Sequence, residues 1–306
     1  VSAVEVRHVP VLAGEVARLA SGRQRAVDGT LGAGGHAAIL LEAGARVLAV
    51  DADPAAVAAA RTRLDPQRVT IRQGRFSHPQ ILSAIRAFQP DLILLDLGVS
   101  SYQIDSDERG FSFRPGVALD MRMDPEAQDT AAEVLNGYSE ADLECVFREY
   151  GDERRARRLA RAVVRRRQER PLAVSDDLVN AIREVLGPRS GPGDFARIFQ
   201  AVRMEVNDER GELERALPAL REALIPGGAL VVISYHSGED RIVKRAFAQW
   251  AMACVCPPAQ PVCTCRGKPL GRREPRRAAQ PAAQEIAANP RARSARLRGF
   301  LVDDAS

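Results

Sequence analysis

At 306 residues the chain can hold one large domain with an insertion, or two domains, each with its own core. Hydrophobic residues at 45% and charged residues at 27% are ordinary for a globular protein, and no apolar run is long enough to span a bilayer. The net charge is only +4, but arginine is dense over 154–170 and 266–298, which suits a polyanionic partner better than the total suggests. The N-terminal stretch lacks the order of a signal peptide, so a cytoplasmic protein is expected.

In chain order, Val11 to Ala20 reads as helix, Arg25 to Asp28 as strand, His36 to Ala43 as helix and Arg46 to Val50 as strand. Pro54 fits a first helical turn, and Ala55 to Leu64 continues it. Val69 to Arg72 (strand), Pro79 to Phe88 (helix) and the fully apolar Leu92 to Leu95 (strand) follow. Four strands in βα alternation specify a parallel sheet covered by helices on both faces. From Thr130 to Gly187 only helices are expected, with Thr130, Ser139 and Ser175 as N-caps and an arginine-rich helix over Glu153 to Arg170. Gly187 to Gly193 is a loop by composition. A helix then ends at Leu224, Ala229 to Ser234 is a fifth strand, Arg241 to Trp250 a helix, and Ala295 to Leu301 a last edge strand. The reading is an α/β sheet with an all-helical insertion between the fourth and fifth strands, divided as 1–124, 125–195 and 196–306.

Ligands of open parallel sheets bind beyond the carboxyl ends of the strands. There the chain places Gly32 to His36, Asp51, Arg75-Phe76-Ser77, Asp96 to Ser101 and Ser234-Tyr235-His236-Ser237. Glycines let backbone approach a ligand and set a helix N-terminus beside it. Asp51 can take both hydroxyls of a ribose, and an acid ending an apolar strand is expensive without a ligand. Phe76 either stacks on a base or packs in the core. Gly32-x-Gly34-x-x-Ala37 also fits the dinucleotide fingerprint, so the motif alone leaves a nicotinamide cofactor and S-adenosylmethionine both open.

The motif Asp28-Gly29-Thr30-Leu31-Gly32-Ala33-Gly34-Gly35-His36 resembles the first motif of the small-subunit ribosomal RNA cytidine N(4)-methyltransferases, the RsmH (MraW) family. So do Asp96-Leu97-Gly98-Val99-Ser100-Ser101, Glu108 to Phe113, Leu119 to Asp124, Arg197-x-Phe199-Gln200-Ala201, Ser234 to Lys244 and Asn289 to Ser294. His8 to Leu12 is similar to the family's opening. The resemblance implies a class I, Rossmann-like methyltransferase fold, S-adenosylmethionine as cofactor, and methylation of a cytidine's exocyclic amine in the decoding region of 16S ribosomal RNA, with the small ribosomal subunit as partner. It implies cofactor contacts at Gly34, Gly35, His36, Asp51, Phe76, Asp96 and Gln103. Gly238 and Tyr235 depart from the family's usual Leu and Phe, and Ala196 from its usual Thr.

An exocyclic cytosine amine is a poor nucleophile because its lone pair is shared with the ring. Acceptors on its N–H groups would favour the tetrahedral nitrogen. Asp96, the carbonyls of Leu97 to Val99 and the Ser100 or Ser101 hydroxyl are candidates, and His236 either takes the proton or is structural. The arginine helix, with Leu159, Ala160, Val163 and Val164 as its buried stripe, would grip RNA backbone. The competing readings are a nicotinamide-dependent oxidoreductase, though no Tyr-x-x-x-Lys dyad follows the fourth strand, and a non-catalytic RNA-binding assembly factor. Cys254-x-Cys256 and Cys263-x-Cys265 could offer four thiolates to zinc, but CxC pairs are less typical than CxxC, and the spacing assigns no metal. Cys145 is expected in the core beside Leu143 and Val146.

Overall fold

The computed structural model describes residues 10–99, 103, 106–257, 260 and 262–303. Two compact units divide the chain, one made of 1–98 and 211–306 and the other of 99–210.

In the first unit, α1 (Ala13–Ala20), β1 (Arg25–Asp28), α2 (Gly35–Glu42), β2 (Arg46–Asp51), α3 (Pro54–Arg63), β3 (Val69–Gln73), α4 (Pro79–Phe88) and β4 (Leu92–Asp96) alternate as expected. After α10 (Glu209–Ala223) and β5 (Ala229–Ser234) come β6 (Gly271–Arg273) and β7 (Arg296–Val302), and the sheet order is β3-β2-β1-β4-β5-β7-β6. The first five strands in that order are parallel. Their successive residues alternate between two apolar layers: Ala26, Val47, Leu94 and Val231 lie on one face, Val27, Leu48, Ile93 and Leu230 on the other. A strand buried on both faces cannot show polar alternation, which is why these read as continuous apolar runs.

The last strand corrects an expectation. β7 is not an edge: it pairs antiparallel with β5 on one side and with β6 on the other. Phe300 of β7 packs with Phe247 and Trp250, at ring separations of 5.6 and 5.3 Å, and this aromatic cluster seats β7 inside the sheet. Three-residue β6 carries Gly-Arg-Arg and no hydrophobic signal, so periodicity could not find it.

The second unit holds α5 (Ala131–Gly137), α6 (Glu140–Glu149), α7 (Ala156–Glu169), α8 (Ser175–Leu186) and α9 (Pro192–Val206). It extends beyond the expected 125–195. Leu119 and Met121 before it, and Ile198, Phe199 and Val202 after it, share one apolar cluster with Leu143, Phe147, Leu159 and Ile182. The Asn207 amide fixes this closure, donating to the Met121 carbonyl at 2.8 Å and accepting the Met123 N–H at 2.8 Å. Arg197 donates to the Gly151 carbonyl and to buried Glu153, each at 2.6 Å, which gives the Arg197 motif a structural role.

Thr130 and Ser139 cap α5 and α6 as expected. Ser175 does not cap α8. Its hydroxyl donates to the Arg114 carbonyl at 2.5 Å, and Asp177 takes the Ala173 and Val174 N–H groups instead. Cys145 turns outward from α6 rather than into the core.

Candidate active site

The carboxyl ends of β1, β2 and β4 each carry an aspartate: Asp28, Asp51 and Asp96. Between them runs the glycine turn 29–35, in which Gly34 has φ +81° and stands as the N-cap of α2. A side chain at Gly29 would start 2.5 Å from Leu95 Cδ2, and one at Gly35 2.7 Å from Pro10 Cγ. Gly29 and Gly35 therefore stand where nothing bulkier fits, and Gly34 has a conformation that Cβ-bearing residues rarely adopt.

Asp51 anchors the turn. Its two oxygens accept the Gly32 N–H at 2.7 Å and the Asp53 N–H at 2.8 Å, and Asp53 in turn caps α3. Burial raises the Asp51 pKa, with those two N–H groups pulling the other way. Each carboxylate oxygen retains a lone pair for a hydroxyl donor. Asp51→Ala should weaken binding of a ribose-containing cofactor at least tenfold, since each charge-assisted bond contributes roughly 1.5–3 kcal/mol. Calorimetry with Asp51→Asn alongside checks this, and unchanged affinity in the alanine variant would remove Asp51 from the site.

Asp96 is the most connected group. Its N–H donates to the Thr30 hydroxyl at 2.6 Å, fixing the end of β4 to the glycine turn. Its Oδ1 accepts the Tyr235 hydroxyl at 2.9 Å, and its Oδ2 stands 3.3 Å from Nε2 of buried His36. That last contact has the distance of an ion pair, and Nδ1 of His36 has no hydrogen-bond partner among the described residues. Burial opposes protonation of His36, yet the Asp96 and Asp28 carboxyls outweigh it and raise its pKa. Burial, then the Asp96 charge, push the Tyr235 phenol far above its ordinary value, so it stays a donor.

Asp28 is the residue that sequence reasoning passed over. It is fully buried, its Oδ1 accepts the Thr30 N–H at 3.2 Å, and its Oδ2 has no partner among the described residues. Burial lifts its pKa to about 6, against the opposing pull of His36. The signal was present: like Asp51, it is an acid ending an apolar strand beside the glycine turn.

Phe76 is half-buried against the core layer that holds Ile81 and Leu95, close to Gly29, and keeps part of its ring free. His236 serves as the N-cap of α11 (Ser237–Trp250): Nδ1 accepts the Glu239 N–H at 3.4 Å and Nε2 faces the Glu239 carboxylate at 3.0 Å. Both ring nitrogens thus face Glu239 at the first turn of the helix. Gly238 does not delay the helix, which begins at Ser237, four residues earlier than the apolar pattern indicated. Gln103 is buried and belongs to the second unit; Ser100 lies outside the described residues.

A matching family model covers residues 5–301 and is described as the MraW methylase family. The chain belongs to the MraW methylase family. Among its relatives, the Ribosomal RNA small subunit methyltransferase H of Gemmatimonas aurantiaca is 55% identical, covering 96% of this chain and 94% of the relative. The protein of the same name from Heliobacterium modesticaldum is 45% identical over 95% of this chain and 97% of the relative. A solved putative methyltransferase of Streptococcus mutans in complex with SAH superposes with a TM-score of 0.38 at 12% identity, covering 95% and 94% of the two chains, a likeness too loose to carry any argument. In this MraW methylase the glycine turn, the three strand-end acids and Tyr235 all sit within the matched span.

Proposed function

We propose that this chain transfers a methyl group from S-adenosylmethionine to the exocyclic amine of a cytidine in the decoding region of 16S ribosomal RNA. That it is an S-adenosylmethionine-dependent methyltransferase of small-subunit ribosomal RNA rests on its family and on relatives of that name at 42–55% identity. The observation that carries the reading is the set of three carboxyl groups, Asp28, Asp51 and Asp96, around a glycine turn with buried, unpartnered polar atoms. S-adenosylmethionine brings a methyl on a cationic sulfur, and such a site suits a cation carrying ribose hydroxyls. A nicotinamide dinucleotide would instead bring a pyrophosphate to the glycine turn, against the buried Asp28 carboxyl.

Asp51 accepts the ribose hydroxyls, Gly34 and Gly35 admit close backbone approach, and Phe76 flanks the base. Asp96, held by Thr30 and Tyr235, presents a fixed carboxylate to the acceptor amine, so its hydrogen bonds need no reorganisation at the moment of transfer. Ser100 remains a candidate for a second acceptor. The test is incubation of the full chain with methyl-labelled cofactor and small ribosomal subunits, followed by nuclease digestion and mass spectrometry. Label on N(4) of one cytidine is expected; label on a ring carbon, on another base, or none would overturn the proposal. A cytoplasmic location, where ribosomal subunits are assembled, is part of the same reading.

The second unit serves this function as an RNA-recognition domain, but not through all of its arginines. Arg161 pairs with Glu140, Arg165 and Arg166 with Glu184, and Arg170 with Asp177, while Arg167 donates to the Leu135 and Tyr138 carbonyls. Arg154, Arg157 and Arg158 are exposed, and their side chains make no ion pair or hydrogen bond among the described residues. Reversing these three to Glu should weaken RNA binding roughly tenfold or more and flatten its salt dependence by about two to three phosphate contacts. Cofactor affinity should hold. Normal RNA affinity at two salt concentrations would show that this face is merely solvated.

A further inference from the structure

The four cysteines that follow α11 play no part in the chemistry above. Their sulfurs nevertheless converge. Cys254 Sγ lies 3.7 Å from Cys263 and 3.8 Å from Cys265, Cys256 lies 3.9 Å from Cys263, and Cys263 lies 3.4 Å from Cys265. All four sulfurs fall within 4.8 Å of one another. A tetrahedral ion with metal–sulfur bonds of about 2.3 Å holds its four sulfurs about 3.8 Å apart. Cys254 and Cys263 are exposed and Cys256 and Cys265 half-buried, so no apolar core gathers them.

We propose that Cys254, Cys256, Cys263 and Cys265 form a structural zinc site, four thiolates around one divalent ion. The surroundings suit thiolates. The Val255 N–H donates to Cys265 Sγ at 3.4 Å, and the Gly267 N–H donates to the same sulfur. Amide donors of this kind favour the charged form of a ligand sulfur and orient it. The guanidinium of Arg266, next to Cys265, donates to the carbonyls of Gln249, Trp250 and Met252, tying the end of the loop back to the C-terminus of α11. An ion here would close the loop at its other end and hold the link between α11 and β6. All-sulfur tetrahedral sites take zinc or iron–sulfur centres. Sulfurs this close share one ion rather than the separate irons of a cluster. Loading displaces the thiol protons, so binding releases acid.

The full chain, purified under reducing conditions without chelator, should carry one equivalent of zinc by elemental analysis. After stripping, added cobalt(II) should give the intense visible bands and sulfur-to-cobalt charge transfer of a tetrahedral thiolate site, with measurable proton release. Cys254→Ser with Cys263→Ser should abolish both metal content and cobalt spectrum while S-adenosylmethionine binding persists. If that variant fails to fold, the cobalt spectrum of the unaltered chain decides alone. Four titratable thiols that bind neither zinc nor cobalt stoichiometrically would overturn the proposal, as would an intact mass showing two disulfides or an iron–sulfur absorption spectrum.

Discussion

Asp96→Asn should lower the single-turnover rate of methyl transfer about 100-fold at saturating cofactor and RNA, the usual scale for losing one preorganised electrostatic contact. The amide keeps an oxygen to accept the Tyr235 hydroxyl, now bonded at 2.9 Å, and the backbone N–H keeps its bond to Thr30. What disappears is the negative charge facing the amine as it becomes cationic. Tyr235→Phe separates charge from positioning. It leaves the Asp96 charge in place and removes only the hydroxyl that orients it, so a smaller loss is expected, mainly in the rate rather than in cofactor affinity. A parallel fall in cofactor affinity for Asp96→Asn would assign the residue to cofactor binding as well. An unaltered rate would exclude it from the chemical step.

Asp28→Asn should alter stability by a comparable factor, in a pH-dependent way. The folded pKa is raised from 3.8 to about 6 because burial strips the carboxylate of water. A raised pKa means the folded state binds its proton more tightly than the unfolded chain does. The associated stability is therefore present below pH 3.8 and is lost as pH rises through 6. At 1.36 kcal/mol per pH unit the full loss is roughly 3 kcal/mol, of which about half falls between pH 5 and 8. Asparagine mimics the protonated acid and has no such loss. His36, with its pKa also raised in part by Asp28, adds a contribution of the same sign, so the substitution flattens the profile further. Denaturant unfolding of both chains at pH 5, 6.5 and 8 should show the variant gaining on the wild type as pH rises. Parallel profiles would mean that Asp28 is not the buried ionised group described above.

The site was legible wherever a single segment carries the signal. Gly34, Gly35 and Asp51 follow from a strand, a glycine turn and a second strand within 30 residues, and the structure places them at the same sheet edge. Tyr235 and Asp96 are 139 positions apart, and only the pairing of β4 with β5 brings the phenol to the carboxylate. His236 was open in the sequence between chemistry and structure, and only the structure shows its ring capping the start of α11. The arginine helix looked uniformly basic because sequence does not show that Glu140, Glu184 and Asp177 fold against it.

By itself the sequence determined the βα alternation, the parallel sheet, the glycine turn with its acid, and the family. All of these rest on local periodicity, turn chemistry and motifs contiguous in the chain. Tertiary structure alone decided that β7 is interior, that the second unit reaches from 99 to 210, that Asp28 is fully buried, and that four cysteines converge. Each of those depends on contacts between distant segments. Burial and pairing are set by what packs against a residue, and its neighbours in the chain do not specify that.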